Sequence, residues 1–592
     1  MRALTAYAAS TPGDTRLTND NRSNGGYVSN YNVNNPTATV AKDATLAECS
    51  ASRGRQNGPS VAVDPRNPTV LVGSSNDYCG VYNAGVDANG APIPSGPIWL
   101  GYYRSENTGA SFQSSLVPGY PGDNTPYAAR AHIRTASAGD PVLAWDAEGR
   151  LFAGSESSDD PAGSPKTFGD VWVGTYANPG GVKGATINDG KEFKQSVIVA
   201  KGSSAPNLLG KFNDKTAIEA DRTSSSCRGN VYFAWSQFTG NGGVAIMMSR
   251  STDHGVTFST PMKVSASIHD VQFPDISVTN NGHVYITFRQ FGAQGQQGDA
   301  VDIVGSTDCG GTFSPPRVLT SFSAMGVTDL DTSGGSARDC GDAPACKSGF
   351  TFFRADSGSR STADQAAKNE LVHVTYEAIV PGSEVSTGTT FGWANASGAG
   401  GQSAIYYLSF NGATGAIATP ATPIDLVPVG QQLFPDLSVD AGVIHALWWD
   451  SRNDKNNTRS SFRQRPVGND ATGNVASSLD VYAATRPVSG DAWTSAVRLS
   501  DVTTNPNFEQ FGGRTVPFAG DYLWIDSKAG VTYGTWTDWR DTVGGVDQRE
   551  VTQDETGADV LQCRVLSGGS FTGDTCPRLG GLDQNIYGTL AP

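Results

Sequence analysis

One pattern recurs along this chain and constrains its fold more than any other feature. Each copy is a short strand of β-branched and aromatic residues, a turn rich in Gly, Asn and Asp, and a second aromatic strand that ends in polar residues. "PDISVTNNGHVYITFRQF" and "PDLSVDAGVIHALWWDSRND" are two clear examples, and both predict β-hairpins. The alignable copies begin at Asn57, Gly139, Asn213, Pro274, Phe350, Pro435 and Gly520. A unit repeated this often indicates a repeat architecture.

A further pair of strands follows each hairpin, which makes four antiparallel strands per repeat. Four-stranded units arranged around a circle are typical of a β-propeller. We therefore expect an all-β protein with seven four-stranded blades, and six blades if one hairpin is misassigned. Residues 51–592 are predicted to form a single propeller domain. The Asn-rich residues 1–50 are predicted to be an N-terminal extension that supplies an outer strand to the last blade.

A short polar turn also repeats, between the third and fourth strands of its blade. "SRSTDHGVTFSTP" reads Ser-x-Asp-x-Gly-x-Thr-Phe, "VGSTDCGGTFSPP" repeats it, and "YRSENTGASFQSS" is a relaxed copy. The matching positions are Ser251, Asp253, Gly255, Thr257 and Phe258, then Ser306, Asp308, Gly310, Thr312 and Phe313, then Ser105, Asn107, Gly109, Ser111 and Phe112. This pattern resembles the Asp-box, or BNR repeat, of the sialidase-like superfamily of propellers. The resemblance implies that these turns lie opposite the active site and are structural.

Charge and composition exclude several partners. The formal net charge is −15, from 42 basic and 57 acidic residues, which argues against binding to nucleic acid or to an anionic membrane surface. No apolar run approaches the ~20 residues that a membrane span requires. Eight Cys, with loops rich in Asn, Thr, Ser and Gly, favour an oxidising compartment. We expect a secreted monomer.

The cysteines are predicted to be structural, because none shows the paired spacing of a zinc site. Proximity favours the pairs Cys340–Cys346, Cys563–Cys576, Cys49–Cys79 and Cys227–Cys309. We expect no cofactor and no catalytic metal. A structural calcium ion is an alternative at "DLDTSG", Asp329 to Gly334, but Cys340 stands where a calcium loop carries its twelfth-position Glu.

The candidate site lies where inner strands begin, because these ends converge around the axis of a propeller. The starts place five carboxylates at equivalent positions, and the returning second strands add further polar groups. The candidate catalytic residues are Asp140, Asp214, Asp275, Asp436, Asp521 and Glu377. General acid–base work on a sugar needs such carboxyl groups. The alternative is that each Asp caps a turn or bonds to the neighbouring blade.

Candidate substrate-binding residues come from the returning strands and the loops. Arginine can hold a carboxylate in a bidentate manner, and aromatic faces can stack on sugar rings. The candidates are Arg289, Arg452, Arg540, Trp449, Trp539 and His269, and Glu156 and Asp450 also return to this end.

These features favour a protein that acts on an extracellular glycan or polysaccharide, most simply a glycoside hydrolase. The resemblance to sialidases would imply an arginine triad, but their Arg-Ile-Pro signature is absent, so the triad cannot be assigned to residues here. Two alternatives stay open. One is a polysaccharide lyase on uronate-containing glycans, and the other is a carbohydrate-binding or surface-assembly propeller without enzymatic activity.

Overall fold

The chain folds into a ring of seven four-stranded antiparallel sheets. The predicted seven-bladed β-propeller is therefore confirmed, and the count of six is wrong. The computed structural model describes residues 13–18, 26–38, 43–52, 55–78, 98–158, 169–203, 210–292, 298–331, 333–337, 346–355, 358–393, 398–456, 461–508, 518–543, 565–567, 570–572 and 583–592. Within these ranges no helix is long and apolar enough to cross a membrane.

The strands and helices are short, as expected for blades separated by turns. The strands are β1 (Thr15–Arg16), β2 (Gln56–Val63), β3 (Leu71–Asp77), β4 (Trp99–Ser105), β5 (Gln113–Leu116), β6 (Ser137–Trp145), β7 (Leu151–Ser158), β8 (Asp170–Ala177), β9 (Glu192–Ala200), β10 (Lys211–Ala220), β11 (Val231–Thr239), β12 (Val244–Ser251), β13 (Met262–Lys263), β14 (Val271–Val278), β15 (Val284–Gln290), β16 (Asp299–Ser306), β17 (Arg317–Phe322), β18 (Val327–Leu330), β19 (Ser336–Ala337), β20 (Ser359–Thr362), β21 (Leu371–Ile379), β22 (Val385–Ser386), β23 (Gly392–Trp393), β24 (Ala399–Gly400), β25 (Ser403–Asn411), β26 (Ala416–Pro423), β27 (Gln432–Asp440), β28 (Val443–Asp450), β29 (Asp480–Pro487), β30 (Val497–Arg498), β31 (Trp524–Lys528), β32 (Val531–Asp538), β33 (Val565–Ser567), β34 (Ser570–Thr572) and β35 (Asn585–Leu590). The α-helices are α1 (Asn30–Asn34) and α2 (Ala44–Ser52), and short 3₁₀ turns span Ala128–Arg130 and Thr186–Asn188.

The blades follow one another along the chain, each from its innermost to its outermost strand. Blades 1 to 6 are β2–β5, β6–β9, β10–β13, β14–β17, β20-β21-β25-β26 and β27–β30. Blade 7 runs β31-β32-β35-β1, so its outer strand comes from the N-terminal extension and the two ends of the chain meet in one sheet. Three small sheets, β19-β18-β23, β22-β24 and β33-β34, lie in the connections between these strands.

Large apolar side chains fill the spaces between neighbouring blades. Between blades 3 and 4, for example, Ile246 and Met248 of β12 belong to the same core cluster as Ile286 and Phe288 of β15. Fully buried tryptophans occupy five of the seven blades: Trp99, Trp145, Trp172, Trp235, Trp448, Trp449 and Trp536. Burial of this apolar surface between sheets is what holds the ring together.

The repeated polar turns share one hydrogen-bond pattern, which explains their residue types. In the second copy, the Asp308 carboxylate accepts hydrogen bonds from the Ser306 hydroxyl at 2.8 Å and from the Thr312 N–H at 2.9 Å. The Ser306 hydroxyl oxygen accepts from the Gly310 N–H at 2.8 Å, and Gly310 has a φ of 73°, which suits a residue without a Cβ. The turns at Ser251 and Ser105 repeat these contacts. They close hairpins at the far end of their blades.

One disulfide crosses between blades. Cys227, in the turn between β10 and β11, is bonded to Cys309 in the turn between β16 and β17, with Cα atoms 5.4 Å apart. This predicted pair is confirmed. Cys49 and Cys346 are also disulfide-bonded. Their predicted partners Cys79 and Cys340, and the predicted pair Cys563–Cys576, lie outside the described residues.

Replacing both Cys227 and Cys309 with Ser is expected to lower the free energy of unfolding by about 2–5 kcal/mol, because the bond closes a long loop. The sequence separation is 82 residues. Urea denaturation of the oxidised protein and of the double variant measures the difference. Equal midpoints for the two proteins would contradict this expectation.

Candidate functional site

The inner strands share a backbone irregularity near the point where they enter the propeller. In β2, β6, β10, β14 and β27 the pairing with the second strand shifts register, as in a β-bulge. The residue at each bulge has positive φ: Gly58 (59°), Asp140 (47°), Lys215 (55°), Phe273 (57°) and Phe434 (50°). Positive φ is uncommon for residues other than glycine and often marks a functional site. We call this place in each blade the bulge position.

The bulge shows that the five aspartates at strand starts are not equivalent. Asp140 occupies the bulge position, Asp214 precedes it, and Asp275 and Asp436 each follow it by two residues. Asp521 follows Gly520, whose φ is 77°. The expected ring of five like-placed carboxylates is therefore wrong, because the sequence alignment matched the aspartates and not the backbone geometry.

Three of the five aspartates do come together, around Lys215. The Lys215 Nζ lies 3.2 Å from Asp140 Oδ2 and 3.6 Å from Asp214 Oδ1, and it also contacts Asp521 Oδ2. One carboxylate oxygen each of Asp140, Glu156 and Asp214 lies within 4.8 Å of the others. The Tyr522 hydroxyl donates a hydrogen bond to Asp140 Oδ2 at 3.1 Å. These six residues, Asp140, Glu156, Asp214, Lys215, Asp521 and Tyr522, are the Lys215 cluster.

The charges of the Lys215 cluster are unequal. Burial, together with the negative charges of Asp214 and Asp140, raises the pKa of Glu156 well above its ordinary value. Burial opposes ionisation of Asp214 too, but the Lys215 ammonium and a hydrogen bond from Glu156 outweigh it and hold the pKa of Asp214 below its ordinary value. Two carboxyl groups that hydrogen-bond to each other share one proton. These shifts favour the proton on Glu156 and the negative charge on Asp214.

A pocket on the propeller axis adjoins this cluster. Its polar side is formed by Lys215, Asp521 and Tyr522, and its apolar side by Phe273 and Phe434. Ser359 and Arg360 of β20 also line it. Both side chains are buried, and Ser359 Oγ and one Arg360 terminal nitrogen have no hydrogen-bond partner among the described residues. The Arg360 guanidinium lies 4.6 Å from the Tyr522 and Trp524 ring centres. This pocket is the axial mouth.

Asp275 and Asp436 lie below the axial mouth, in the cavity that the inner strands surround, which we call the central channel. Both residues link neighbouring blades. Asp275 Oδ2 accepts a hydrogen bond from the Ser361 N–H of blade 5, and Asp436 Oδ2 accepts one from the Ile525 N–H of blade 7, both at 2.7 Å. Burial raises the pKa of Asp275 to about 6 and that of Asp436 to about 7, although Arg360 opposes both shifts. Asp275 and Asp436 thus make the contacts expected from the alternative interpretation, in which the aspartate bonds to the neighbouring blade.

Asp436 is expected to make stability depend on pH. Its folded-state pKa, about 7, is above the ordinary value of 3.8. Its contribution is therefore fully present below about pH 4 and is lost as the pH rises through about 7. Asp436→Asn keeps an oxygen acceptor for Ile525 and is expected to flatten the fall in Tm between pH 4 and about 8. Thermal denaturation of both proteins across this range measures the effect, and parallel curves would contradict it.

Glu377 also joins two blades. Its Oε2 accepts a hydrogen bond from the N–H of Phe434, the bulge residue of the next blade, at 2.8 Å. The corresponding residue of blade 1, Asn76, accepts from the Asp140 N–H at 2.6 Å. Strand pairing places Glu156 at this same position in blade 2. Glu156 makes no such bond, because the Lys215 N–H donates to Asp214 Oδ1 at 2.6 Å instead.

The three arginines predicted to bind substrate are held by aspartates and stacked on aromatic rings. Arg289 Nε donates to Asp299 Oδ2 at 2.7 Å, and its guanidinium lies over Phe291. Arg452 pairs with Asp425 and Asp450 and lies 3.9 Å from the Tyr482 ring centre. Arg540 pairs with Asp14, Asp501 and Asp538 and lies 4.1 Å from the Tyr587 ring centre. None of the three lines the axial mouth.

The remaining candidates also lie outside the Lys215 cluster. Trp449 and Trp539 are buried in the core, at 1% and 2% exposure, so neither offers a face to a sugar. His269 is exposed, near the turn between β11 and β12. In the "DLDTSG" segment, the Asp331 carboxylate accepts hydrogen bonds from the Ser333 and Gly335 N–H groups, a self-contained polar turn.

Sequence reasoning missed Lys215, Tyr522, Ser359 and Arg360 and gave no special weight to Glu156. One available signal was proline. Pro59, Pro141, Pro274 and Pro435 each follow a bulge residue, so aligning the prolines gives the correct frame. Neither β10 nor β20 carries a proline, so this signal identifies neither Lys215 nor Arg360.

In the part of the chain that the structure describes, two groups of side chains have the spacing of metal ligands, and in both a basic side chain is already present. Asp140, Glu156 and Asp214 adjoin Lys215. Asp146, Glu148 and His254, at the opposite end, adjoin Arg150, whose Nη1 lies 2.8 Å from Asp146 and 2.6 Å from Glu148. Both groups are therefore ion-pair networks as they stand.

No protein-family model matches the sequence, and no curated protein sequence matches it. Among solved structures, a Hadza microbial sialidase matches with 12% identity and a TM-score of 0.37, covering 67% of this chain and 63% of its own. A Trypanosoma rangeli sialidase in complex with the inhibitor DANA matches with 11% identity and a TM-score of 0.34, covering 68% and 53%. A Penicillium chrysogenum α-L-arabinanase complexed with arabinobiose matches with 12% identity and a TM-score of 0.38, covering 74% and 94%. The chain thus spans 63% and 53% of the two sialidases. The seven four-stranded blades themselves show that the fold is a β-propeller.

Proposed function

We propose that this protein is a secreted glycoside hydrolase that cleaves a glycan at the axial mouth. The observation that carries the proposal is the Glu156–Asp214 pair, whose carboxyl oxygens lie within 4.8 Å of each other and whose pKa values are shifted in opposite directions, up for Glu156 and down for Asp214. A glycosidase needs this division of roles between two carboxyl groups. The Cys227–Cys309 disulfide supports an oxidising, extracellular location.

Glu156 is the proton donor in this proposal. A sugar that enters between the two carboxyl groups replaces their mutual hydrogen bond, and Glu156 protonates the departing glycosidic oxygen. Asp214 attacks the anomeric carbon, and the Glu156 carboxylate then accepts a proton from the water that releases the product. Retaining enzymes hold their carboxyl groups ~5–5.5 Å apart, and inverting enzymes hold them ~6.5–9.5 Å apart to admit water. The closest oxygens of Glu156 and Asp214 lie within 4.8 Å of each other, which is nearer to the retaining spacing than to the inverting one.

Asp214 is a better nucleophile than Tyr522 here. Tyr522 does pair with the Asp140 carboxylate, at 3.1 Å. Burial and the charge of Asp140 raise the pKa of the Tyr522 hydroxyl well above its ordinary value, so the phenol stays neutral. Burial opposes ionisation of Asp214, but the Lys215 ammonium and the hydrogen bond from Glu156 lower its pKa, which favours the nucleophilic carboxylate form.

The lining of the axial mouth suits a sugar that carries an acidic group. Phe273 and Phe434 supply an apolar wall, and Arg360 supplies a guanidinium nitrogen with no partner among the described residues. Guanidinium binds carboxylates through two parallel hydrogen bonds, and Ser359 Oγ is a further donor beside it.

A panel of neutral and acidic polysaccharides and aryl glycosides tests the proposal. We expect new reducing ends with no new ultraviolet absorbance, and proton NMR of the first product is expected to show retained anomeric configuration. Absorbance from an unsaturated uronate would identify a lyase, and retention of glycan without product would identify a binding protein. Either outcome would overturn the assignment as a hydrolase.

Arg360→Met is expected to weaken binding of acidic glycosides by roughly 10- to 100-fold, since a hydrogen bond to a charged group contributes about 1.5–3 kcal/mol. Neutral glycosides are expected to bind as before. Affinities from calorimetry measure the ratio, with the exposed Lys263→Met as a control for loss of positive charge. Equal losses for acidic and neutral ligands would remove Arg360 from the recognition of acidic groups.

A further inference from the structure

Lys215 occupies an unusual place for a basic residue. It is the bulge residue of blade 3, with a φ of 55°, and its side chain is only 7% exposed. The ionisable groups around it come from several elements: Asp140 of β6, Glu156 of β7, Asp214 of β10, Asp521 and Tyr522 before β31, Arg354 before β20, and Arg360 of β20. Arg354 Nη2 lies 3.8 Å from Asp521 Oδ2.

Lys215 contacts Asp214 directly but forms no ion pair with Glu156 among the described residues. Asp214 Oδ1 receives both the Lys215 backbone N–H, at 2.6 Å, and the Lys215 ammonium, at 3.6 Å. Among the described residues, Lys215 forms ion pairs with Asp140, Asp214 and Asp521 and none with Glu156. At the corresponding positions of blades 1 and 5, Asn76 and Glu377 receive the bulge N–H of the next blade. Glu156 therefore lacks the donor that its counterparts have, because Asp214 takes it.

We propose that Lys215 is a positioning residue that fixes the shared proton of the carboxyl pair on Glu156 by holding Asp214 as a carboxylate. The role of Lys215 in catalysis rests on the proposed function. Its effect on the location of the proton does not, because that location can be measured without a substrate. An ammonium and an N–H beside one of two carboxyl groups favour the charged form of that group. The lower pKa of Asp214 and the higher pKa of Glu156 agree with this arrangement.

The test is a carboxyl ¹³C NMR titration of the whole protein labelled at Asp and Glu, with Glu156→Gln and Asp214→Asn used to assign the two signals. In the unsubstituted protein we expect Asp214 to ionise at lower pH than Glu156. Lys215→Met is expected to raise the midpoint of Asp214 by about 1–3 pH units, the usual effect of a nearby opposite charge. Lys528→Met, which removes a channel lysine paired with Asp526, is the matched control and is expected to change neither midpoint.

Asp521→Asn provides a change of the opposite sign. It removes a negative charge but keeps the ammonium, so the midpoint of Asp214 is expected to fall. If Glu156 ionises first in the unsubstituted protein, the proposal is overturned even when Lys215→Met does not fold. An unchanged Asp214 midpoint in a folded Lys215→Met protein also overturns it. A protein that shows the expected titration but cleaves no glycan would overturn the proposed function and leave the role of Lys215 intact.

Discussion

Replacing Glu156 with Gln is expected to reduce kcat for glycoside hydrolysis by roughly 10²- to 10⁴-fold, the usual contribution of a general acid. Glutamine has nearly the shape of glutamic acid but gives no proton to a leaving group. The fold is expected to survive, because the glutamine amide can still donate a hydrogen bond to Asp214 of the neighbouring blade. Initial rates on aryl glycosides with good and poor leaving groups measure the effect, and the loss is expected to be larger for the poor ones.

The control for this experiment is Glu148→Gln. Glu148 lies in the turn between β6 and β7, at the other end of the same strand pair, and forms an ion pair with Arg150. Its replacement removes one carboxylate from the same blade without touching the axial mouth, so the rate is expected to stay within about twofold. If Glu156→Gln retained full activity, Glu156 would not be the proton donor.

Replacing Arg540 with Met is expected to lower the free energy of unfolding by about 3–5 kcal/mol, the cost of removing one partner from a buried ion pair. Arg540 joins blade 7 to the N-terminal extension, because Asp14 and Asp538 pair with it and their side chains are each 1% exposed. In the Arg540→Met protein, the carboxylates of Asp14 and Asp538 stay buried but lose their ion pair with the guanidinium. Urea denaturation measures the loss.

The same variant separates a structural role for Arg540 from the substrate-binding role expected from the sequence. The KM of the folded Arg540→Met protein is expected to equal that of the unsubstituted protein, because Arg540 does not line the axial mouth. Lys263→Met is expected to change neither stability nor KM. A large increase in KM with unchanged stability would instead support the substrate-binding role that the sequence predicts for Arg540.

The fold was predictable because its causes are local and repeated. Each hairpin carries its own strand residues and turn residues, and the turns at Ser251 and Ser306 specify their geometry within a few positions. The Cys227–Cys309 bond was predictable for the same reason, since two aligned turns of neighbouring blades had to lie side by side. The blade count follows directly from the number of copies.

The site was only partly predictable because it depends on backbone conformation and on pairing between distant segments. A shift of two or three residues along the strand at the bulge moves a carboxylate from the Lys215 cluster to the channel, which separates Asp140 and Asp214 from Asp275 and Asp436. Whether an arginine is available depends on which aspartates surround it, and Asp14 is far from Arg540 in the sequence. Residue type suggested the chemistry, and only the folded chain shows which residues meet.

The bulge position suggests which residues of such a protein can be substituted without changing its backbone. The same backbone geometry recurs around the axis, but it carries Gly58, Asp140, Lys215, Phe273 and Phe434 in different blades. In these five blades the same backbone geometry therefore accommodates glycine, aspartate, lysine and phenylalanine. Substituting single residues at these bulge positions, such as Phe for Lys or Asp for Gly, offers a way to redesign ligand binding at the propeller axis.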